Sequence, residues 1–291
     1  MNRTFGRRLR QLLSAAVFLG FAVSLSAEVQ AQRGGGGAPA ALPREFFEDR
    51  LDRQGDTMVF CVNEDSMMAD FERDLAQEIG NALLLNVEIF DVNPRRPTPP
   101  LDYRLPLIPE ELFLVLVDDC NAMFGFALSS GYRDYIMFTR PYMETEYSVV
   151  VTSEQYDALT DIPRDERIGT RTMSNGDTAL RTYMATLPED RRWRRSVYFD
   201  NEILLERVSD GTIPAAIVWD PAIYYATDGD PEGAGFRLLP LPIDQSPTNI
   251  GLTMLAGDNF VRTTIDDAIE LLTADGTVHD LMVRHNLAPA E

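Results

Sequence analysis

Few residues in this 291-residue chain are of the kinds that do chemistry. His279 and His285 share one C-terminal helical stretch at a spacing that puts them on different faces, so neither metal ligation nor a Ser-His pairing is supported. There is no lysine, which excludes Schiff-base and P-loop mechanisms. No G-x-S-x-G, Walker or strand-linked G-x-G-x-x-G motif occurs. Asp228, Asp230 and Glu232 open like a calcium loop, but Leu239 stands where the bidentate acid belongs and Pro231 interrupts the run. It reads as an acidic surface turn. Carboxylates are plentiful, yet no pair stands out as an acid–base dyad. The expectation is a binder: not an enzyme, with no cofactor and no metal.

Ligand-holding groups are sought instead where an α/β sheet collects ligands, at the carboxyl ends of its strands. Four such ends are legible. The first holds Asp65 and Ser66; the second, residues 125–133, holds Phe126, Ser129 and Arg133. Arg133 has the fork that grips a carboxylate, although Asp134 beside it offers an ordinary ion pair. The third is Asn175, Gly176, Asp177 and Thr178 after Ser174, an N-cap sequence whose free backbone N–H groups suit an anion. The fourth is Trp219 and Asp220, an aromatic wall beside a carboxylate that suits an ammonium or hydroxyl. Asp220 equally serves as a cap for a helix starting at Pro221.

The elements that would position these groups alternate. Residues 57–63 form a strand. Met68, Phe71, Leu75, Ile79 and Leu83 recur at helical spacing, with the helix ending near Asn81. Strands at 85–92 and 120–128 flank a helix at 109–117. Between them, residues 93–109 carry six prolines in seventeen positions and cannot be a regular helix or central strand. A second set follows: strands at 147–153, 166–172, 196–199, 214–220, 236–242 and 249–257, with helices at 177–187, 201–211, 221–228 and 259–287. This pattern predicts an α/β protein of largely parallel sheets with helices on both faces.

The first ten residues carry four arginines, and an apolar run at 12–27 leads to a small-residue step at Val29-Gln30-Ala31. Residues 1–31 therefore read as a cleavable signal peptide, too short in its apolar run to span a bilayer. Residues 32–44 are a Gly/Ala/Pro-rich flexible lead-in. The expected location is periplasmic, without membrane insertion of the mature chain. A net charge of −20 repels phosphate backbones, so no nucleic-acid partner is expected. Cys61 and Cys120 sit on expected neighbouring strands in a compartment where a disulfide persists. Simple parallel register brings Cys61 nearer Met123 than Cys120, so bridged and free thiols both stand.

Taken in order, ADFERDLAQEIG, CNAMFGFAL, YIMFTRPY, ERIGTRTMSNGDTAL, LLERVSDGTIPAAIVWD and the tail from IGLTMLAGD to VRHNL resemble the family 3 extracellular solute-binding proteins. Cys61, Cys120, Gly131-Tyr132, Thr139-Arg140-Pro141-Tyr142, Trp219 and Pro221 resemble the MxaJ and XoxJ type subgroup, associated with quinoprotein dehydrogenases. The chain departs from that subgroup in a shortened loop after residue 63, in Asp220 where glycine is usual, and in the Pro-rich insert. The resemblance implies a type II periplasmic binding protein fold. Lobe 1 would be residues 45–141 and 249–291, and lobe 2 residues 142–248. Two crossover strands would be hinged at Thr139, Pro141, Tyr142 and Thr248. It further implies a non-enzymatic accessory to a methanol or alcohol dehydrogenase, partnered by that quinoprotein or its cytochrome. The alternative is the receptor of an ABC permease that takes a small amino or carboxylic acid, with Arg133 on the carboxylate and Asp220 on the amine.

Overall fold

The computed structural model describes residues 55–93, 109–128, 134–242 and 247–289. The expected signal peptide and lead-in, most of the Pro-rich insert, Ser129 and Arg133 lie outside the described residues. In chain order the elements are β1 (Thr57–Asn63), α1 (Ala69–Leu83), β2 (Asn86–Val92), α2 (Pro109–Asp118), β3 (Ala122–Ala127), β4 (Ile136–Phe138), β5 (Met143–Thr145) and β6 (Tyr147–Val151). There follow β7 (Arg167–Arg171), α3 (Asn175–Thr186), β8 (Arg194–Tyr198), α4 (Asn201–Ser209), β9 (Ala215–Trp219) and α5 (Asp220–Ala226). The chain closes with β10 (Arg237–Leu239), β11 (Thr248–Leu255), α6 (Asn259–Ala274) and α7 (Thr277–Arg284).

Two sheets result. The first runs β2-β1-β3-β11-β4, with β5 also paired to β11; the second runs β10-β6-β9-β7-β8. Within each, the strands linked by helices are parallel, as expected: β2, β1 and β3 in one, β8, β7 and β9 in the other. The strands on which the chain arrives from the other sheet, β6 and β11, run antiparallel to their neighbours. This is the two-lobe α/β architecture that the pattern predicts. The Thr-Arg-Pro-Tyr step stays with the first sheet, because β4 and β5 on either side of it both pair with β11. The change of sheet falls at Glu146, between β5 and β6.

Periodicity builds each layer. In α1, Phe71, Leu75, Ala76 and Ile79 face inward onto Phe60, Phe124, Leu252 and Met254, with α6 and α7 completing that core. Gly80 lets the helix end lie close to β2, since a Cβ there would sit 2.2 Å from the Val87 Cγ2. In β6, Val149 and Val151 join the core with Leu180 and Trp193, while Val150 points the other way to Leu204 and Val208. That alternation is the period of two of a strand buried on both faces. Each such large apolar side chain contributes about 1.5–3 kcal/mol by leaving water.

Cys61 and Cys120 are bridged, with Cα atoms 5.7 Å apart. The register pairs Cys61 with Met123, as the simple reading had it, but Cys120 precedes β3 rather than opening it. The Asn121 N–H donates to the Val59 carbonyl at 2.8 Å, and the Val59 N–H donates to the Asn121 side chain at 2.9 Å. These bonds carry the approach to β3 alongside β1, where the thiols meet. The bridge closes a loop across a sequence separation of 59 and ties α2 to the sheet. Reduction is expected to lower the unfolding free energy by about 3 kcal/mol, read as an earlier urea midpoint with reductant present.

Candidate functional site

Each sheet has a point where the chain, having added a strand on one side, returns to the other. In the second sheet β7 leads outward to β8, and β9 then pairs on the opposite edge of β7. The carboxyl ends of β7 and β9 therefore diverge, which is where open α/β sheets receive ligands. β7 runs out into Ser174 and α3; β9 runs out into Trp219, Asp220 and α5. The start of β6 lies antiparallel to that end, pairing Tyr147 with Trp219, and the Asp220 N–H donates to the Glu146 carbonyl at 3.1 Å. Glu146, Tyr147, Ser148, Trp219 and Asp220 are thus one cluster.

Asp220 carries the electrostatics of this cluster. Its Oδ1 is buried and has no hydrogen-bond partner among the described residues. Burial pushes its carboxyl up from the ordinary value, and Glu146 pushes it further, while the Ser148 hydroxyl and N–H favour the charged form. It does not cap α5: Trp219 is the N-cap, and Asp220 and Pro221 begin the helix. Tyr147 and Tyr224 both feel the Asp220 charge, and burial is the main cause that raises each phenol. A half-buried carboxylate with one buried oxygen, not ion-paired among the described residues and set among three aromatic side chains, is chemistry suited to a cation.

The start of α3 is organised differently from the sequence expectation. Ser174 Oγ accepts from the Asp177 N–H at 3.0 Å, and the Ser174 carbonyl accepts from the Thr178 N–H at 3.2 Å. The Tyr147 ring lies against Gly176, and the nearby backbone amides of Asn175 and Gly176 favour the charged form of its phenol against the larger effect of burial. Gly176 is required by that arrangement, because a Cβ would lie 2.6 Å from the Tyr147 Cδ1. Asp177, expected as a ligand group, is buried instead, where it accepts from the Thr170 hydroxyl at 2.7 Å and from Arg195 at 2.5 and 2.6 Å. Thr178 is exposed on the helix surface.

The first-sheet candidates divide as well. Ser66 Oγ accepts from the Met68 N–H at 3.1 Å and the Asn63 side chain accepts from the Asp65 N–H at 3.1 Å, which builds the turn into α1. Phe126 packs with Cys61, Leu116 and Met123 on the α2 side of the sheet, turned away from that turn. Met67, not singled out from sequence, packs against both the first core and the α4–α5 side of the second, as does Trp219. Residues at the crossings are gripped by site residues: Trp219 Nε1 donates to Thr145 Oγ1 at 2.7 Å, and Asn175 Nδ2 donates to Thr248 Oγ1 at 3.3 Å. Thr145 and Thr248 are themselves register partners, and the Thr145 hydroxyl donates to the Thr248 carbonyl at 3.2 Å. His285 Nε2 lies 2.8 Å from Asp74 Oδ2, far in sequence from the cluster. Among the described residues no group of acidic, His or Cys side chains is arranged to hold a metal ion.

With this geometry in hand, the fold can be placed. An ancestral cationic amino acid solute-binding protein superposes with a TM-score of 0.62 at 15% identity, over 82% of this chain and 98% of that one. The second substrate-binding domain of Lactococcus lactis GlnP, in its open conformation, gives 0.61 at 14% identity, over 80% and 96%. The second substrate-binding domain of a putative amino acid ABC transporter from Streptococcus pneumoniae gives 0.60 at 13%, over 79% and 100%. The architecture is the two-lobe type II fold of periplasmic binding proteins. No family model and no curated protein sequence matches the chain.

Proposed function

We propose that the protein is the solute receptor of an ABC-type importer, binding in the cleft a small molecule that carries an ammonium or related cation. The observation that carries this reading is Asp220, whose buried Oδ1 lacks a partner among the described residues and whose neighbours are aromatic. Of the structures that share the fold, one is described as a cationic amino acid solute-binding protein and another as a substrate-binding domain of a putative amino acid ABC transporter. The narrower reading, an accessory to a quinoprotein dehydrogenase, draws no support from them. Binding rather than catalysis is the proposed role, in the periplasm, with a permease as partner. No described helix is long and apolar enough to cross a membrane.

In this reading the lobe boundaries shift from those expected at residues 141 and 249: the first lobe runs to Thr145 and resumes at Thr248, because β4 and β5 both pair with β11, and the second takes residues 146–247. They close over the ligand about the crossings at Thr145 and Thr248, whereas Thr139, Pro141 and Tyr142, expected as hinge positions, lie within the first sheet. Trp219 and Asn175 link ligand contact to Thr145 and Thr248, so a bound solute favours one lobe arrangement over the other. Calorimetry against ammonium-bearing solutes tests the proposal, and Asp220→Asn is expected to weaken binding by about a hundredfold. Because burial raises the Asp220 carboxyl in the free protein and a cation needs it ionised, affinity falls as pH drops through that raised range. No heat from any such solute, with the wild-type protein folded, counts against the reading.

A further inference from the structure

Among the described residues, two partly buried side chains pack against both the first-sheet core and the α4–α5 core of the second sheet: Met67 and Trp219. Trp219 stands at a crossing, where its Nε1 is tied to Thr145 Oγ1. Met67 comes from farther away in sequence, out of the turn between β1 and α1, and reaches the second sheet from the first. The core it reaches contains Val218 and Ala222, which flank Asp220 in sequence, so Met67 packs on the core that backs the candidate site. The turn that carries it is braced. The Ser66 N–H donates to the Asn63 carbonyl at 2.9 Å, the Ala69 N–H to the Ser66 carbonyl at 3.1 Å, and the Met68 N–H to Ser66 Oγ at 3.1 Å. Met68, next in the chain, is buried in the first core alone. Of two adjacent methionines, only Met67 spans the sheets. An unbranched thioether fills an irregular gap without demanding one rotamer, which suits a contact that has to form and break.

Resting on the receptor reading above, we infer that Met67 is a latch between the lobes, holding them together beside Asp220 and so setting how tightly any solute is kept. A solute gripped by both lobes favours the arrangement in which they touch. Met67 favours the same arrangement, and the fraction of protein already in it scales the apparent affinity. Met67 is a positioning residue: it acts through the lobes, whereas Asp220 supplies the charge that meets the solute. Its loss therefore weakens every solute alike.

The test uses Met67→Ala and Met67→Ser, with thermal melts to confirm that both are folded. Small-angle X-ray scattering without solute reads the lobe arrangement, and calorimetry with arginine, lysine, agmatine and putrescine reads affinity. The expected result is a larger radius of gyration than that of the wild type. Affinity falls about tenfold for every probe that the wild type binds, with the ranking of the probes unchanged. Met67→Leu, which keeps the apolar volume, restores both readings. Asp220→Asn loses affinity while its radius of gyration without solute stays that of the wild type. An unchanged radius of gyration in both Met67 variants, an affinity that holds or rises, or a changed ranking overturns the inference while the receptor reading stands. If no probe binds the wild type, the receptor reading falls by itself and the scattering alone decides the latch.

Discussion

Glu72→Gln is expected to stabilise the protein, by an amount that grows as the pH rises. Glu72 lies in the first turn of α1 but is 1% exposed, packed under the first sheet. Tyr142 donates its hydroxyl to Glu72 Oε1 at 3.1 Å, and the Gly125 N–H donates to the Tyr142 oxygen at 3.1 Å. Oε2 is buried with no partner among the described residues. Burial pushes the carboxyl from its ordinary 4.5 up to about 8, against the smaller opposing pulls of the Tyr142 hydroxyl and of Arg73. The folded protein therefore holds a proton on Glu72 at neutral pH, whereas the unfolded chain does not. Below pH 4.5 both states are protonated and Glu72 carries no penalty. Stability is then lost as pH rises towards about 8, to a total on the order of 4 kcal/mol. Glutamine keeps an oxygen for Tyr142 and an N–H₂ in place of the acid proton, without the ionisation. Urea melts of both proteins across that range isolate the effect, because every other carboxylate is common to them. Curves that stay parallel at all pH values would refute the assignment.

What the sequence made legible follows from how local each signal is. The β1–α1–β2 unit was readable because Phe71, Leu75 and Ile79 repeat at helical spacing between two β-branched runs. Glu72 was not, since an acid in ADFERDLAQEIG reads as part of the polar face. Its spacing to Ala76 and Ile79, both buried, was the available signal. The Cys61–Cys120 bridge depended on where β3 begins, and that start is set by the Asn121 bonds to Val59, which pattern cannot show. At the candidate site, Trp219 and Asp220 are legible because they end a strand. Glu146 and Tyr147 are not, because they begin one, and their place beside Asp220 comes from antiparallel pairing across long sequence separation. Asn175 and Asp177 were placed correctly at a helix start. The Tyr147 ring that packs against Gly176, and the Arg195 that turns Asp177 inward, arrive from other strands.

Arg195→Ala is expected to cost about 3 kcal/mol, and most of that cost should vanish when Asp177 is also made neutral. Arg195 sits on β8, opposite Ile168 of β7, and reaches both Asp177 oxygens. The Asp177 side chain is 6% exposed, whereas that of Arg195 is 33% exposed. Deleting the better-hydrated partner therefore strands the worse-hydrated one. The Thr170 hydroxyl remains as a donor, and Arg181 lies 3.8 Å away, too far for a hydrogen bond in place. Asp177→Asn on the Arg195→Ala background removes the stranded charge while keeping an oxygen for Thr170, so the double variant should be the more stable of the two. Additive losses in that cycle would mean that the pair is not coupled. The consequence reaches the candidate site, because the Asp177 N–H closes the first turn of α3 on Ser174 Oγ and Asn175 of that turn donates to Thr248 Oγ1 at the crossing. Loosening that turn should weaken solute binding.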